Sequence, residues 1–139
     1  MGRIIAIDFG LKRTGIAATD ILKITANGLT TLYTEEVIPF LEKYLSQETV
    51  DTIVVGEATH ADGNPTHITQ PANEFVLQLQ KKFPHIPIER EDETYTSKMA
   101  MQTLHTLGVS KKKKQDKKLL DKISATIILQ SYLYRKGIW

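Results

Sequence analysis

The sequence contains no cysteine, which excludes disulfide staples, thiolate metal sites and thiol nucleophiles. Any metal must be held by oxygen, with or without a histidine. Net charge is also scarce. Eighteen Lys and Arg against sixteen Asp and Glu leave +2, so any nucleic-acid contact has to come from where the cations sit. No apolar run approaches the roughly 20 residues that span a bilayer. The start, Met1-Gly2-Arg3-Ile4-Ile5, enters a strand pattern directly and lacks signal-peptide anatomy, so a cytoplasmic location without membrane contact is expected. His60, His67, His85 and His105 show no metal-ligand spacing, which favours surface or packing roles, although His60 and His67 follow Glu57 in a polar segment and could touch substrate. No repeat or linker divides the 139 residues, and 41% hydrophobic content can bury one core, so residues 1–139 are expected to form a single domain.

What is present reads as alternating strands and helices. RIIAIDF (3–9) is an apolar run of strand length ending in an acid and Gly10. Gly10 to Gly15 reads as a tight turn and GIAATD (15–20) as the returning strand of a hairpin. The Thr-rich stretch 24–33 is a third strand, interrupted at Asn27-Gly28. Residues 34–47 have helical spacing, with Pro39 in the first turn. VDTIVVGE (50–57) is a continuous β-branched run suited to a buried parallel strand. After a polar segment, 58–67, a helix over 69–83 places Phe75, Val76, Leu79 and Phe83 on one face. IPIERED (86–92) is a short strand turning acidic, 95–108 a helix, 110–118 a basic segment, and a closing helix runs through 119–135. The order predicts an α/β fold with one mixed five-stranded sheet and helices on both faces.

The acids at strand and helix ends are the candidates for chemistry. Asp8 follows Ile4-Ile5-Ala6-Ile7 at the carboxyl end of a central strand, where an unpaired charge is costly. It needs a cation or strong donors, or else it caps the Gly10 turn. Glu57 ends the buried strand, and EREDE (89–93) ends the last one, so Asp92 or Glu93 can approach Asp8 at the edge where parallel strands finish. A solvated strand exit is the bland alternative there. Asp121 opens a helix that is apolar on its other face, and an acid in a first turn suits the helix dipole in any case. Asp116 lies within a lysine run and looks solvated. Acids gathered at one edge form an oxygen-rich site for Mg²⁺ or Mn²⁺, and two such ions can drive phosphodiester cleavage. Lys111, Lys112, Lys113, Lys114, Lys117 and Lys118 are six cations in eight positions. Without an aromatic among them, they suit phosphate neutralisation and carry no base readout; a solvated loop is the alternative.

Together these stretches resemble the YqgF (RuvX-like) family of pre-16S rRNA nucleases, also described as Holliday junction resolvase-like. IIAIDFGLKRTGIAATD (4–20) is similar to the family's opening, with Asp8, Gly10, Lys12, Arg13 and Gly15 in matching places. VVGEATHADGNP (54–65) keeps Gly56, Asp62 and Gly63; DETYTS (92–97) keeps Asp92, Glu93, Thr96 and Ser97; KKLLDKISATIILQSYL (117–133) keeps Asp121, Ala125, Leu129 and Gln130. The resemblance implies a ribonuclease H-like fold and a catalytic, metal-binding trio of Asp8, Glu93 and Asp121. Lys12 and Arg13 join the lysines as nucleic-acid contacts. It also implies a role in maturing the 5′ end of 16S rRNA, with structured RNA, branched DNA or pre-ribosomal particles as partners, for a monomer or homodimer. Two positions depart from the pattern. Thr94 replaces an arginine, and Glu57-Ala58 replaces Leu-Pro, which adds Glu57 as a fourth candidate ligand. Two rivals stand beside this reading. One is a catalytically silent RNA-binding or ribosome-assembly module. The other is an ATPase domain of the actin and sugar-kinase type, which needs a second such domain that 139 residues cannot hold.

Overall fold

The apolar run near the N-terminus becomes the centre of a sheet. In the computed structural model, which describes residues 2–57, 67–92 and 117–139, β1 (Arg3–Asp8) buries Ile4, Ile5, Ala6 and Ile7 on both faces. It pairs antiparallel with β2 (Arg13–Thr19), which pairs antiparallel with β3 (Ala26–Tyr33). On its other side β1 runs parallel to β4 (Val50–Glu57), and β4 parallel to β5 (Ile88–Asp92). The order across the sheet is β3-β2-β1-β4-β5. The carboxyl ends of β1, β4 and β5 therefore share one edge, and β2 starts there.

Alternation along each strand sorts side chains between two cores. Ile5, Ile7, Ile16, Ile53 and Val55 meet α1 (Val37–Gln47) and α2 (Thr69–Lys82) through Val37, Leu41, Phe75, Val76 and Leu79. Ile4, Ala6, Ala17 and Val54 meet α3 (Lys117–Arg135) through Ala125, Ile128, Leu129, Tyr132 and Leu133. This is the expected mixed five-stranded sheet with helices on both faces. Among the described residues no helix is long and apolar enough to cross a membrane.

Three local expectations change. Asn27-Gly28 does not interrupt β3; the irregularity is a one-residue slip, in which Ile16 faces Thr30 while Ala17 faces Gly28, so that Leu29 is skipped. The stretch 34–47 begins as a 3₁₀ turn (Thr34–Glu36) and becomes α-helical at Val37, which puts Pro39 in the first α-helical turn. The closing helix begins at Lys117, so Lys117 and Lys118 belong to its first turn and Asp121 to its second. A first-turn dipole role therefore does not account for Asp121. The expected helix at 95–108, together with Glu93 and Lys111 to Lys114, lies outside the described residues.

Candidate active site

Asp8 is the last residue of β1, and its Cα is paired with that of Gly15 in β2. Residues facing each other across an antiparallel pair project to the same side. Ile4 and Ala6 point to the α3 core, so Asp8, in step with them, projects to the α3 side at the sheet edge. Gly15 explains how α3 comes so close. A Cβ built on Gly15 would lie 2.1 Å from the backbone oxygen of Asp121, far inside van der Waals contact. The bare backbone of Gly15 thus seats the second turn of α3 directly beside the position facing Asp8.

Arg13 is two residues before Gly15 on the same strand and projects to the same side. Its Nε donates to Asp121 Oδ2 at 3.4 Å, with the two side chains 24% and 27% exposed. Asp8, Arg13 and Asp121 are therefore gathered by β1, β2 and α3 at one edge and on one face. Each is half-buried, so they keep access to solvent.

The turn carrying Gly10 to Lys12 is held by hydroxyls that no local pattern announces. A Cβ on Gly10 would meet the Arg13 carbonyl at 2.1 Å, so the turn closes tightly only with glycine there. Thr34 donates its hydroxyl to the Gly10 carbonyl at 2.6 Å. That uses its single proton, so in the 2.9 Å contact between Thr14 and Thr34 it is Thr14 that donates. The Gly10 amide in turn donates to Thr14 Oγ1 at 3.4 Å, and the Thr34 amide donates to the Lys12 carbonyl at 3.0 Å. Thr14 is fully buried, and this closed ring satisfies it.

The acids of β4 and β5 divide between the faces. Val55 faces Arg90 and Glu57 faces Asp92 on the α2 side, whereas Glu89 and Glu91 face α3. Arg90 donates to the carbonyls of Val55 and Gly56, each at 3.2 Å, and to Asn73 of α2 at 2.8 Å. Its guanidinium also lies 3.7 Å from Glu57. Glu57, expected as a fourth ligand beside Asp8, stands on the other face of the sheet at the end of β4. One step of strand period separates it from the Asp8 face, and its carboxylate turns to Arg90. Asp92 follows Glu57 for the same reason.

Glu91 does share the Asp8 face but is only 5% exposed. It accepts from Arg135 Nε at 2.6 Å and from Ser131 at 2.7 Å. Next to it Tyr132 donates to Glu89, and Lys136 lies 3.3 Å from the same carboxylate. The Tyr132 hydrogen bond, followed by Lys136, draws the Glu89 carboxyl below its usual range, while burial and then Glu89 push the Tyr132 hydroxyl up. These groups fasten β5 to α3. A cavity of about 350 Å³ opens on the other face, beside Phe9, Ile38 and Phe75. Among the described residues its lining has two carboxylates, Glu35 and Glu74, and no cation, which does not suit a phosphate.

Among the described residues no three His, Asp or Glu side chains gather as a ready metal site. The acids that β1 and α3 bring to this edge, Asp8 and Asp121, offer carboxylate oxygens, which suit a hard cation. Mg²⁺ is commonly held by one or two carboxylates, with waters and substrate phosphates completing its shell. Asp8 and Asp121 fit that pattern.

The comparisons agree with this architecture. Residues 2–135 match the model of the RuvX family, described as Holliday junction resolvase. A protein of Christiangramia forsetii, provisionally named a pre-16S rRNA nuclease, is 52% identical over 134 residues, covering 96% of this chain and 99% of its own. One from Flavobacterium psychrophilum with the same name is 49% identical over 136 residues, covering 98% and 99%. The solved structure of Thermus thermophilus RuvC with a Holliday junction substrate superposes with a TM-score of 0.57 at 13% identity, over 99% of this chain and 97% of that one. A second structure of T. thermophilus RuvC gives 0.53 at 14% identity, over 97% and 96%. At those identities the likeness speaks for the fold. The chain belongs to the RuvX (YqgF) family of nucleases, built on a ribonuclease H-like fold.

Proposed function

We propose that this chain is a divalent-metal-dependent nuclease of structured nucleic acid, with Asp8, Asp121 and Glu93 as its metal-binding carboxylates. The observation that carries the reading is the seating of Asp121 against Gly15, which faces Asp8 across the strand pair. Two acids 113 positions apart in the chain are thereby drawn to one exposed edge with oxygen donors and a cation. Glu93 is included on the resemblance of DETYTS (92–97) to the family's motif. When bound, Mg²⁺ or Mn²⁺ would activate water and stabilise the leaving oxygen of a phosphodiester. Asp8 and Asp121 would hold the ion, while Lys12, Arg13 and the lysines at 111–118 would meet phosphates. The relatives' names favour pre-16S rRNA as the substrate; action at its 5′ end, in the cytoplasm and on pre-ribosomal particles, is the part of the proposal that rests on the family resemblance alone. The family description keeps branched DNA as the alternative.

The test is cleavage of a structured precursor RNA and of a four-way DNA junction across a Mg²⁺ and Mn²⁺ titration. Asp8→Asn keeps the shape of the side chain and removes its charge, so it is expected to abolish cleavage while the protein stays folded and still binds nucleic acid. Equal cleavage by both proteins would reject the assignment and implicate a contaminant. Binding without cleavage by either would favour a silent RNA-binding module.

A further inference from the structure

Six of the seven described ion pairs lie elsewhere, in such places as Arg3–Glu48, Lys82–Glu42 and Arg135–Glu91. Arg13–Asp121 joins a carboxylate of the candidate active site to a cation at the start of β2. Its length of 3.4 Å is long for N–H···O, where 2.7–3.2 Å is usual, and both side chains are about a quarter exposed. Such a contact is weak enough to exchange. The two partners differ in how they are mounted. Asp121 is fixed from behind, its backbone oxygen lodged against Gly15. Arg13 stands at the first residue of β2, beside the turn that carries Lys12, on a long and partly exposed side chain. A carboxylate that prefers a divalent cation to a guanidinium would let this arginine go.

We propose that Arg13 is a displaceable tether. In the metal-free protein its guanidinium is held by Asp121, and a divalent ion taken up by that carboxylate releases Arg13 to a phosphate of the nucleic acid. The idea rests on Asp8 and Asp121 being the carboxylates that take the ion. It adds that ion and nucleic acid bind with positive coupling carried partly by one side chain. Coupling of this kind is reciprocal, so bound nucleic acid also tightens the ion. Arginine suits the task, because its planar fork pairs with a carboxylate or a phosphate equally well.

The experiment is a double-mutant cycle read by fluorescence anisotropy. The probes are a labelled RNA hairpin with a single-stranded 5′ extension and a labelled four-way DNA junction. Wild type, Arg13→Gln, Asp121→Asn and the double variant are compared in EDTA and in Ca²⁺. Removing one negative charge helps phosphate binding in any background, so coupling is the informative quantity. In EDTA, Asp121→Asn is expected to tighten binding about three- to tenfold when Arg13 is present, roughly the worth of one charge-assisted contact. In the Arg13→Gln background the gain should fall below about twofold. Ca²⁺ should tighten wild type more than Arg13→Gln. An equal effect of Asp121→Asn with and without Arg13 would overturn the tether. Thermal unfolding of each variant, expected to move little for a partly exposed pair, guards against misfolding. Mn²⁺ uptake without nucleic acid, followed by the loss of the free-ion electron-resonance signal, tests the underlying reading separately. If wild type takes up no Mn²⁺, the metal assignment fails, whatever the cycle in EDTA shows.

Discussion

At the scale of single residues, the buried polar groups that join β5 to α3 come in completed sets. Tyr132, 3% exposed, donates to Glu89, and Glu91, 5% exposed, takes Arg135 and Ser131. The lowered carboxyl of Glu89 has a definite consequence for pH dependence. A carboxylate whose folded pKa lies below its unfolded value adds stability above the unfolded value, near 4.3 for glutamate, and loses it as pH falls through the folded one. Tyr132→Phe removes the largest cause of the lowering. It is expected to cost about 1–2 kcal/mol at neutral pH, the worth of a hydrogen bond to a charged group. The gap from wild type should narrow as pH falls through the lowered folded value and the glutamate takes up its proton. Urea unfolding at several pH values checks this. A gap that is constant from neutral to acidic pH would mean that the ring contributes through packing alone.

At the scale of elements, the placing of α3 decides whether a site exists. Its apolar stripe chooses the sheet face, but Gly15 chooses how close the second turn comes. Gly15→Ala would push a methyl group into the Asp121 carbonyl, where both partners are backbone and neither yields cheaply. Overpacking of that kind costs about 1–3 kcal/mol, and the displaced helix would carry Asp121 away from Asp8. We expect a lower urea midpoint together with a loss of nuclease activity larger than the loss of folded protein explains. Gly28→Ala is the control. Its Cβ would meet the aliphatic stem of Lys122 at 2.5 Å, and that side chain can swing aside. It should therefore cost less stability and spare activity. Equal effects at the two glycines would deny Gly15 its special part.

At the scale of the whole molecule, a net charge of +2 gives little long-range attraction for a polyanion. Binding must then lean on local cations, and the lysine run leading into α3 is the densest source of them. Replacing Lys111 to Lys114 with alanine is expected to weaken RNA and DNA binding alike, regardless of base sequence. It should also flatten the salt dependence by a slope of roughly 0.7–0.9 for each phosphate that is no longer neutralised. Affinities measured over a range of KCl concentrations decide it. An unchanged slope would mark the run as a solvated segment that does not touch substrate.

Much of this is legible in the sequence, because strands and helices announce themselves by local period. RIIAID, VDTIVVGE and the closing helix follow from apolar spacing alone, and their order implies the mixed sheet. Resemblance singles out Asp8 and Asp121, and Gly15 with them, though without saying what Gly15 does. The two-residue period of a strand also bears on the acids. Glu57 and Asp92 sit out of step with the residues facing α3, and that sets them apart from Asp8 once the sheet's faces are known. Other features have no local signal at all. Thr14 and Thr34 close the Gly10 turn from 20 positions apart, and Arg13 meets Asp121 across 108. Composition and period, being properties of neighbours along the chain, determined which elements form and which faces they bury. Only the tertiary structure decided which carboxylates share a face and which cation stands beside them, because those contacts arise from the distance of approach between packed elements.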